Sequence, residues 1–571
     1  MAENPQKMAG AEILLESLIA QGVDTIFGYP GGQIMPVYDK LYDYEDRLRH
    51  ILVRHEQGAV HAAQGYARVK GTPGVVMVTS GPGATNAVTG IADALIDSTP
   101  LVVVAGQVGN AALGTDAFQE TDYIGLTAPI TKWNYQIRSA EDVAQAVARA
   151  FYIASTGRPG PVVLDMTKDA QNGVAEYVPA KCDFIRSYDP CPVPDDSLLD
   201  SAAKMIDAAE MPLVVFGHGV MLSGAEKELA GFLSKGDIPA GSTLLGLSCL
   251  DSDDPHFIGM VGMHGNLAPN VMTQQCDLLI AVGMRFDDRV TGTIESYARQ
   301  AKKIHIDIDP TELDKLVKVD LPILGDAKYV LSELTKRIRE VKRPEWMMRP
   351  IMEASVEKHK VIDPELYPEG GPLKQGEVVD AVSRVCDGKA VIVTDVGQHQ
   401  MSAARYSRFH NSRSMITSGG LGTMGFGLPA AIGAKTAAPE RTVCLFVGDG
   451  GFQMTMQELG TIMQEGTDVK IVLLDNNWLG NVRQWQELFF NRRYSFTRMK
   501  NPDYSAIAAA YGVHYRRVEE RGELISAVAE MFATDGAFIL DVHVEESFNV
   551  FPMIPPGKSV NQIMLNETDW I

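Results

Sequence analysis

At 571 residues the chain is too long for one hydrophobic core, and its length predicts three or four domains. Hydrophobic residues make up 45% and charged residues 22%, the balance of a soluble globular protein, while the net charge of −21 excludes the basic stripe that a nucleic-acid binder needs. No run of about 18 apolar residues suggests a membrane span, and the opening MAENPQKMAG lacks signal or transit character, so a cytoplasmic protein is expected.

From Glu12 onward, helix and buried strand alternate. AEILLESLIAQGV reads as a helix and DTIFGYPGG as a short strand running into a Pro-Gly-Gly loop. HILVRHE reads as a strand that ends on Arg54, His55 and Glu56. A helix (QGAVHAAQGYARVKG), a strand (GVVMVTS), a Gly-rich turn (GPGATN), a helix and two further strands, PLVVVAGQ and GPVVLDM, complete the series. Such alternation predicts a doubly wound parallel sheet. The segment from Asn172 to about Val193, with CPVP inside it, reads as a linker. A second α/β block follows with the strands PLVVFGHGV, DLLIAVG and KKIHIDIDP; Lys342–Pro372, charged and Pro-rich, reads as another linker. The third block runs to about Val544. The expected domains are therefore 8–172, 192–342 and 373–550, with a tail at 551–571; blocks one and three could be a divergent pair of one fold. The six cysteines (182, 191, 249, 276, 386, 444) share no metal-site spacing and are expected as reduced thiols.

The third block holds the sharpest pattern, VCLFVGDGGFQMTMQELGTIMQEGTDVKIVLLDNNWLGNVRQW. Strand, helix and strand put Asp449 and Asn476 at the carboxyl ends of two strands, the edge where open α/β sheets bind ligands. Gly450 and Gly451 let backbone N–H groups approach a phosphate at a helix start. A carboxylate and an amide oxygen are hard ligands that suit Mg²⁺ held together with phosphates and water. The pair Asn476-Asn477 leaves the register of the second ligand open. Glu56 is the other candidate: a carboxylate there serves either as a charge at a helix N-terminus or in catalysis. Gly217, Gly219 and Gly283 end strands of block two, with Arg285 and Asp288 close behind, a pattern that suits a phosphate- and ribose-bearing ligand.

GDG followed by an Asn pair resembles the thiamine diphosphate fingerprint. FGYPGG, RHEQGA, TSGPGATN, DAFQE, GRPGP, GMHG, RFDDR, HIDIDP and LGDA together resemble the acetohydroxyacid synthase family over nearly the whole chain. The resemblance implies three α/β domains: pyrimidine-binding, FAD-binding and diphosphate-binding. It implies Mg²⁺ on Asp449, Asn476 and the carbonyl of Trp478. Thiamine diphosphate would be held by Gly397, Gln398, His399, Gly422, Met424, Gly450 and Gly451. FAD, in a mainly structural role, would lie on Gly217, Gly219, Thr243, Leu244, Met263, His264, Gly283, Arg285, Asp307 and Asp326. Glu56 would hydrogen-bond the pyrimidine ring and favour the tautomer whose exocyclic nitrogen takes the thiazolium proton. Gln119 and Lys168 would join it as catalytic residues. Phe118, Arg289 and Trp485 would bind substrate, along a channel that also includes Val482 and Phe489.

The reaction so implied is pyruvate decarboxylation followed by ligation to a second pyruvate or to 2-oxobutanoate, feeding branched-chain amino acid synthesis. The alternatives are a pyruvate oxidase or related decarboxylase on the same cofactors, and a non-catalytic homologue. The family also implies a homodimer or homotetramer, with the cofactor between block one of one subunit and block three of another, and a small regulatory subunit. Gln33, Gly109-Asn110, Trp478 and Asn481 depart from the family's usual residues.

Overall fold

The computed structural model describes residues 6–570. Three six-stranded sheets, every pairing within them parallel, carry the chain. Their central strands, such as Leu101–Gln107, Leu278–Val282 and Val443–Gly448, are runs of Val, Leu, Ile and Ala buried on both faces. This is the pattern a parallel sheet covered by helices demands. The expected fold class of three doubly wound α/β blocks is what the molecule has.

Numbering strands within each block, the first and third sheets share the order 2-1-3-4-6-5, while the middle sheet runs 3-2-1-4-5-6. Blocks one and three are thus two versions of one topology, and the middle block has the order of dinucleotide-binding folds. Blocks one and three also pack directly on each other. Helix Glu56–Lys70 crosses helix Gly427–Ala437 with glycine at the contact on both sides. A methyl group added at Gly65 would lie 2.0 Å from the Ala430 carbonyl oxygen, and one at Gly433 would lie 1.7 Å from that of Ala62. Only glycine permits this approach.

Several local expectations are corrected. The strand expected to end at Glu56 stops at Leu52, and Glu56 is the first residue of the following helix. Pro82–Asn86, expected as a turn, is a short helix started by its proline. The turn expected at Gly448–Gly451 is shorter, because the helix begins at Asp449. Lys342–Pro372 is largely helical: Pro344 sits in the first turn of Pro344–Glu357, where its missing N–H costs nothing. The Asn172–Val193 linker contains the strand Val174–Tyr177, paired antiparallel with Gln6–Ala9. Edge strands Trp133–Ile137, Met415–Ile416 and His514–Val518 escaped the pattern, being short or rich in polar residues.

The helix crossing generates a prediction. Gly433→Ala should lower stability by about 1–3 kcal/mol or more, as overpacking does. A thermal scan should show a midpoint several degrees lower, and an unchanged midpoint would contradict the close approach.

Candidate functional site

In block three the sheet order reverses between strands Val391–Thr394 and Val443–Gly448. Gln398 and His399 follow the first strand and Asp449 follows the second, so all three flank the switch point where such sheets bind ligands. One cavity is lined by Gly397, Gln398, His399, Met424, Asp449 and Gly450, and also by Gly451, Asn476 and Trp478. Asn477 is not among its lining residues, so the geometry favours Asn476 as the oxygen ligand of the pair. Asn476 Oδ1 accepts the Trp478 N–H at 3.1 Å, which fixes the turn.

The polar atoms here fit an anionic, metal-bound ligand. His399 Nε2 is buried without a partner, a state that otherwise costs about 1–3 kcal/mol. Gln398 Oε1 is likewise unpartnered but is an acceptor suited to a cation or donor, its Nε2 being held by Gln484 Oε1 at 3.0 Å and the Phe548 carbonyl at 2.7 Å. Burial pushes His399 down to about 4, leaving it neutral, with a ring N–H to donate. Asp449 is pushed up to about 7 by burial, a strain that a bound cation would relieve. Its Oδ2 accepts from Asn501 Nδ2 at 2.8 Å, and the same amide group donates to Asp475 Oδ1 at 2.7 Å. Asn501 was not legible in the sequence; it lies on a loop with no motif around it.

Two groups of carboxylates shape the glycine loop over this site. Asp395 accepts from the N–H groups of Val396 (2.9 Å), Gly425 (2.9 Å) and Gly427 (2.8 Å). From block one, Asp97 accepts from Gly419 N–H at 2.8 Å and Gly420 N–H at 2.7 Å, and pairs with Arg68 at 2.8 Å. Asp93 accepts the Ser418 and Thr423 hydroxyls, and Arg68 reaches the Thr417 carbonyl. Gly422 sits in this loop at φ 70°, the left-handed region. The one available signal was that Asp93 and Asp97 lie four apart on an otherwise apolar helical face.

A second cavity, of about 850 Å³, opens at the switch point of the middle sheet, between the ends of strands Pro212–Phe216 and Leu278–Val282. Of the residues expected to hold FAD, Gly219, Thr243, Leu244, Met263 and His264 line it, as do Gly283, Arg285, Asp307 and Asp326. Gly217 does not line it; it packs behind, where a methyl would lie 2.6 Å from the Gly283 carbonyl oxygen. Asp326 reaches the cavity but its oxygens already accept from Tyr329 N–H at 3.1 Å and Ser223 Oγ at 2.7 Å, so it also caps the helix Ala327–Arg337. His264 Nδ1 is buried without a partner, and burial holds its ring neutral, down to about 3. Volume, switch point and strand-end glycines fit a dinucleotide.

Arg289, Trp485 and Gly422 line this same large cavity. Arg289 contacts Met263 Sδ at 3.5 Å, and Trp485 packs against Phe489 with ring centroids 5.1 Å apart. The structure therefore brings the expected flavin and substrate residues into one space. Val482 and Asn481 line the smaller cavity, and Asn481 lines both.

Four expected residues are not brought in. Glu56, Phe118, Gln119 and Lys168 line neither cavity. They belong to the carboxyl edge of the first sheet. Glu56 Oε2 accepts from Asn86 Nδ2 at 2.9 Å, and Gln119 lies against Gly81 of the same edge. Phe118 is 83% exposed. Within one chain, Glu56 and Asp449 do not meet across a shared cavity.

Family models of thiamine pyrophosphate enzymes match all three blocks: the N-terminal TPP binding domain at 8–126, the central domain at 199–334 and the C-terminal TPP binding domain at 395–542. The chain is 43% identical to the acetolactate synthase isozyme 2 large subunit of Escherichia coli (strain K12), over 98% of this chain and 99% of that protein. It belongs to the acetolactate synthase large-subunit family. The acetolactate synthase large subunit of Lactococcus lactis is 44% identical over 98% and 97% of the two chains, and that of Corynebacterium glutamicum 43% over 98% and 90%. Membership makes the chain a thiamine diphosphate-dependent carboligase, and thiamine diphosphate, Mg²⁺ and FAD fit the family. Among the described residues no helix is long and apolar enough to cross a membrane.

Buried carboxylates make the protein's stability depend on pH in a defined direction. Burial raises Asp93, Asp165 and Asp395 to about 6, and Asp307 and Asp449 to about 7. Raised carboxylates hold protons that the unfolded chain releases, so their contribution is full below about pH 4 and is lost as the pH rises through 6 to 7. The buried histidines His61, His264 and His399, held neutral, act in the opposite direction, so the carboxylate contribution is read by difference. Between pH 5 and pH 7.5 the thermal midpoint of cofactor-free Asp165→Asn protein should fall less, or rise more, than that of the parent, and an equal change in both would contradict these shifts. Separately, Asn501→Ala should raise the Mg²⁺ concentration for half-saturation about tenfold, about 1.4 kcal/mol, in a titration with thiamine diphosphate present.

Proposed function

We propose that the chain decarboxylates pyruvate and joins the two-carbon fragment to a second pyruvate or to 2-oxobutanoate, supplying branched-chain amino acid synthesis. One observation carries the arrangement: sheets of identical strand order present Glu56 on one carboxyl edge and Asp449 with Asn476 on the other, and the two do not meet within a chain. The site is then completed between Glu56 of one subunit and block three of a second copy. The exposed Phe118, beside Gln119, supports a surface covered by that copy. A homodimer is the smallest assembly that works, and the relatives' designation as large subunits supports a separate small regulatory subunit.

Thiamine diphosphate, held with Mg²⁺, supplies the electron sink for decarboxylation. In this reading Asp449, Asn476 and the Trp478 carbonyl hold the metal. His399 flanks the diphosphate with its unpaired ring nitrogen, alongside the N–H groups of Gly450 and Gly451, and Gln398 lines the same cavity. Gly397 starts the helix that carries this pair. Gly422 would offer its carbonyl to the pyrimidine and Met424, on the wall of the smaller cavity, would pack against the bound cofactor. Glu56 holds a proton at the pyrimidine ring nitrogen. Arg289 meets the keto-acid carboxylate with two parallel N–H donors, and Trp485 bounds the acceptor's side chain. Lys168 and Gln119 face the reacting groups from the block-one edge. FAD occupies the middle-block cavity without a net redox role.

Three measurements test this. Pyruvate consumption followed with acetolactate and oxygen together should show acetolactate without oxygen uptake; uptake with little acetolactate would move the chain to the oxidase branch. Glu56→Gln should lower kcat at least a hundredfold, about 2.7 kcal/mol, and full activity in that variant would sink the proton role. Trp485→Leu should reduce discrimination between 2-oxobutanoate and pyruvate by about tenfold, the scale of one methylene in an apolar pocket, read by competition between the two acceptors.

A further inference from the structure

Glu458 is a buried carboxylate with no part in the scheme above. It belongs to block three, in the single turn Met456–Glu458 that follows the helix Asp449–Thr455. Its side chain nevertheless lies in block one. Both carboxylate oxygens accept the Arg54 N–H, at 3.1 and 3.2 Å, and Oε2 accepts the Thr461 hydroxyl at 2.7 Å. A methyl group at Gly58 would lie 2.4 Å from Oε1, so the carboxylate is pressed onto the first turn of the helix that starts at Glu56. The Arg54 side chain reaches back the other way, donating to the Gly460 carbonyl and Gln464 Oε1, each at 2.9 Å. The turn Arg54–Gly58 is therefore bolted from behind by the segment Glu458–Gln464.

Glu56 depends on that bolt. Its own carboxylate has Asn86 Nδ2 as a hydrogen-bond partner, at 2.9 Å, on one oxygen. One such bond cannot hold a three-torsion side chain in one place, so the aim of Glu56 is set mainly by the backbone that carries it. First-turn N–H groups of a helix need an acceptor. For Gln57 it is His55 Nδ1, at 3.2 Å, while the Arg54 N–H just before this cap takes its acceptor from another domain, and charge-assisted bonds of this kind are the stronger ones. Burial raises the Glu458 carboxyl, and its hydrogen bonds oppose that rise.

We infer that Glu458 is a positioning residue for Glu56: a block-three carboxylate that fixes the start of the Glu56 helix and thereby holds Glu56 in register with the pyrimidine ring. This rests on the reading of Glu56 given above. The side chain moves no proton itself and touches no reacting atom in the proposal.

The test uses the full-length protein loaded with thiamine diphosphate, Mg²⁺ and FAD. The rate at which the cofactor's thiazolium C2 proton exchanges in D₂O, by acid quench and NMR, reports the proton relay without turnover. Glu458→Gln turns an acceptor oxygen into an NH₂ facing the Arg54 N–H. It should slow C2 exchange and kcat together by about tenfold, leaving the half-saturating Mg²⁺ and thiamine diphosphate concentrations within twofold. Thr461→Val removes one bond to Glu458 and should slow exchange by a smaller factor, which keeps the test open if Glu458→Gln folds poorly. Glu56→Gln is the control: if it slows exchange while Glu458→Gln and Thr461→Val do not, the positioning role is overturned. If Glu56→Gln itself leaves exchange unchanged, the reading of Glu56 has failed, and the proposal falls with it.

Discussion

The buried cluster of Arg68, Asp93 and Asp97 is the constraint on which the rest of the site depends. A glycine loop has no side chains with which to hold a shape, so its conformation must be imposed from outside. Here block one imposes it: two carboxylates collect the N–H and hydroxyl groups of Ser418, Gly419, Gly420 and Thr423. Arg68 balances their charge and closes on the Thr417 carbonyl. Leaving any of these buried groups unmatched would cost a large fraction of a domain's net stability. Asp395 finishes the loop from within block three. The loop so held lies against both cavities, through Gly422 on one side and Met424 on the other.

The architecture was largely legible in the sequence because parallel strands buried on both faces write themselves as unbroken apolar runs. That pattern exposed the three blocks and even their kinship, later seen in the shared strand order of the first and third sheets. The block-three residues Gln398, His399, Asp449 and Asn476 were legible for a related reason: they follow directly on such runs. Residues acting through partners distant in the sequence were not. Asn501, Asp395 and Glu458 gain their roles from partners 26 to 404 positions away, and no local pattern encodes that. Glu56 was found through its motif while its element was misjudged, because RHE continues the polarity of a strand end and a helix start equally well. Gly217 was placed in the flavin site by its strand-end position and the family resemblance, and neither separates a glycine that faces a ligand from one that lets two backbones pack.

The charge of the chain and its site pull in opposite directions. A protein of net charge −21 repels keto acids and phosphates on average. The two cavities counter this locally. Around the first are neutral donors, His399 and backbone N–H groups at a helix start; around the second are Arg285, Arg289 and Arg158. Several of the carboxylates deepest in the structure resist ionisation through burial, which keeps the interior less negative than the composition suggests.

The glycine-to-backbone crossing of helices Glu56–Lys70 and Gly427–Ala437 also has a mechanical meaning. With 1.7–2.0 Å separating a hypothetical methyl from the opposing carbonyl on either side, the contact has no slack in which one helix could slide past the other. Packed interfaces of this kind switch between discrete states or stay put. The first and third blocks therefore behave as a single stiff body, and a hinge between them is unavailable for admitting substrate. Compliance has to come from segments outside that body, such as the loop that exposes Phe496 at 99%. Access to the reaction is a matter of loop rearrangement on a rigid frame.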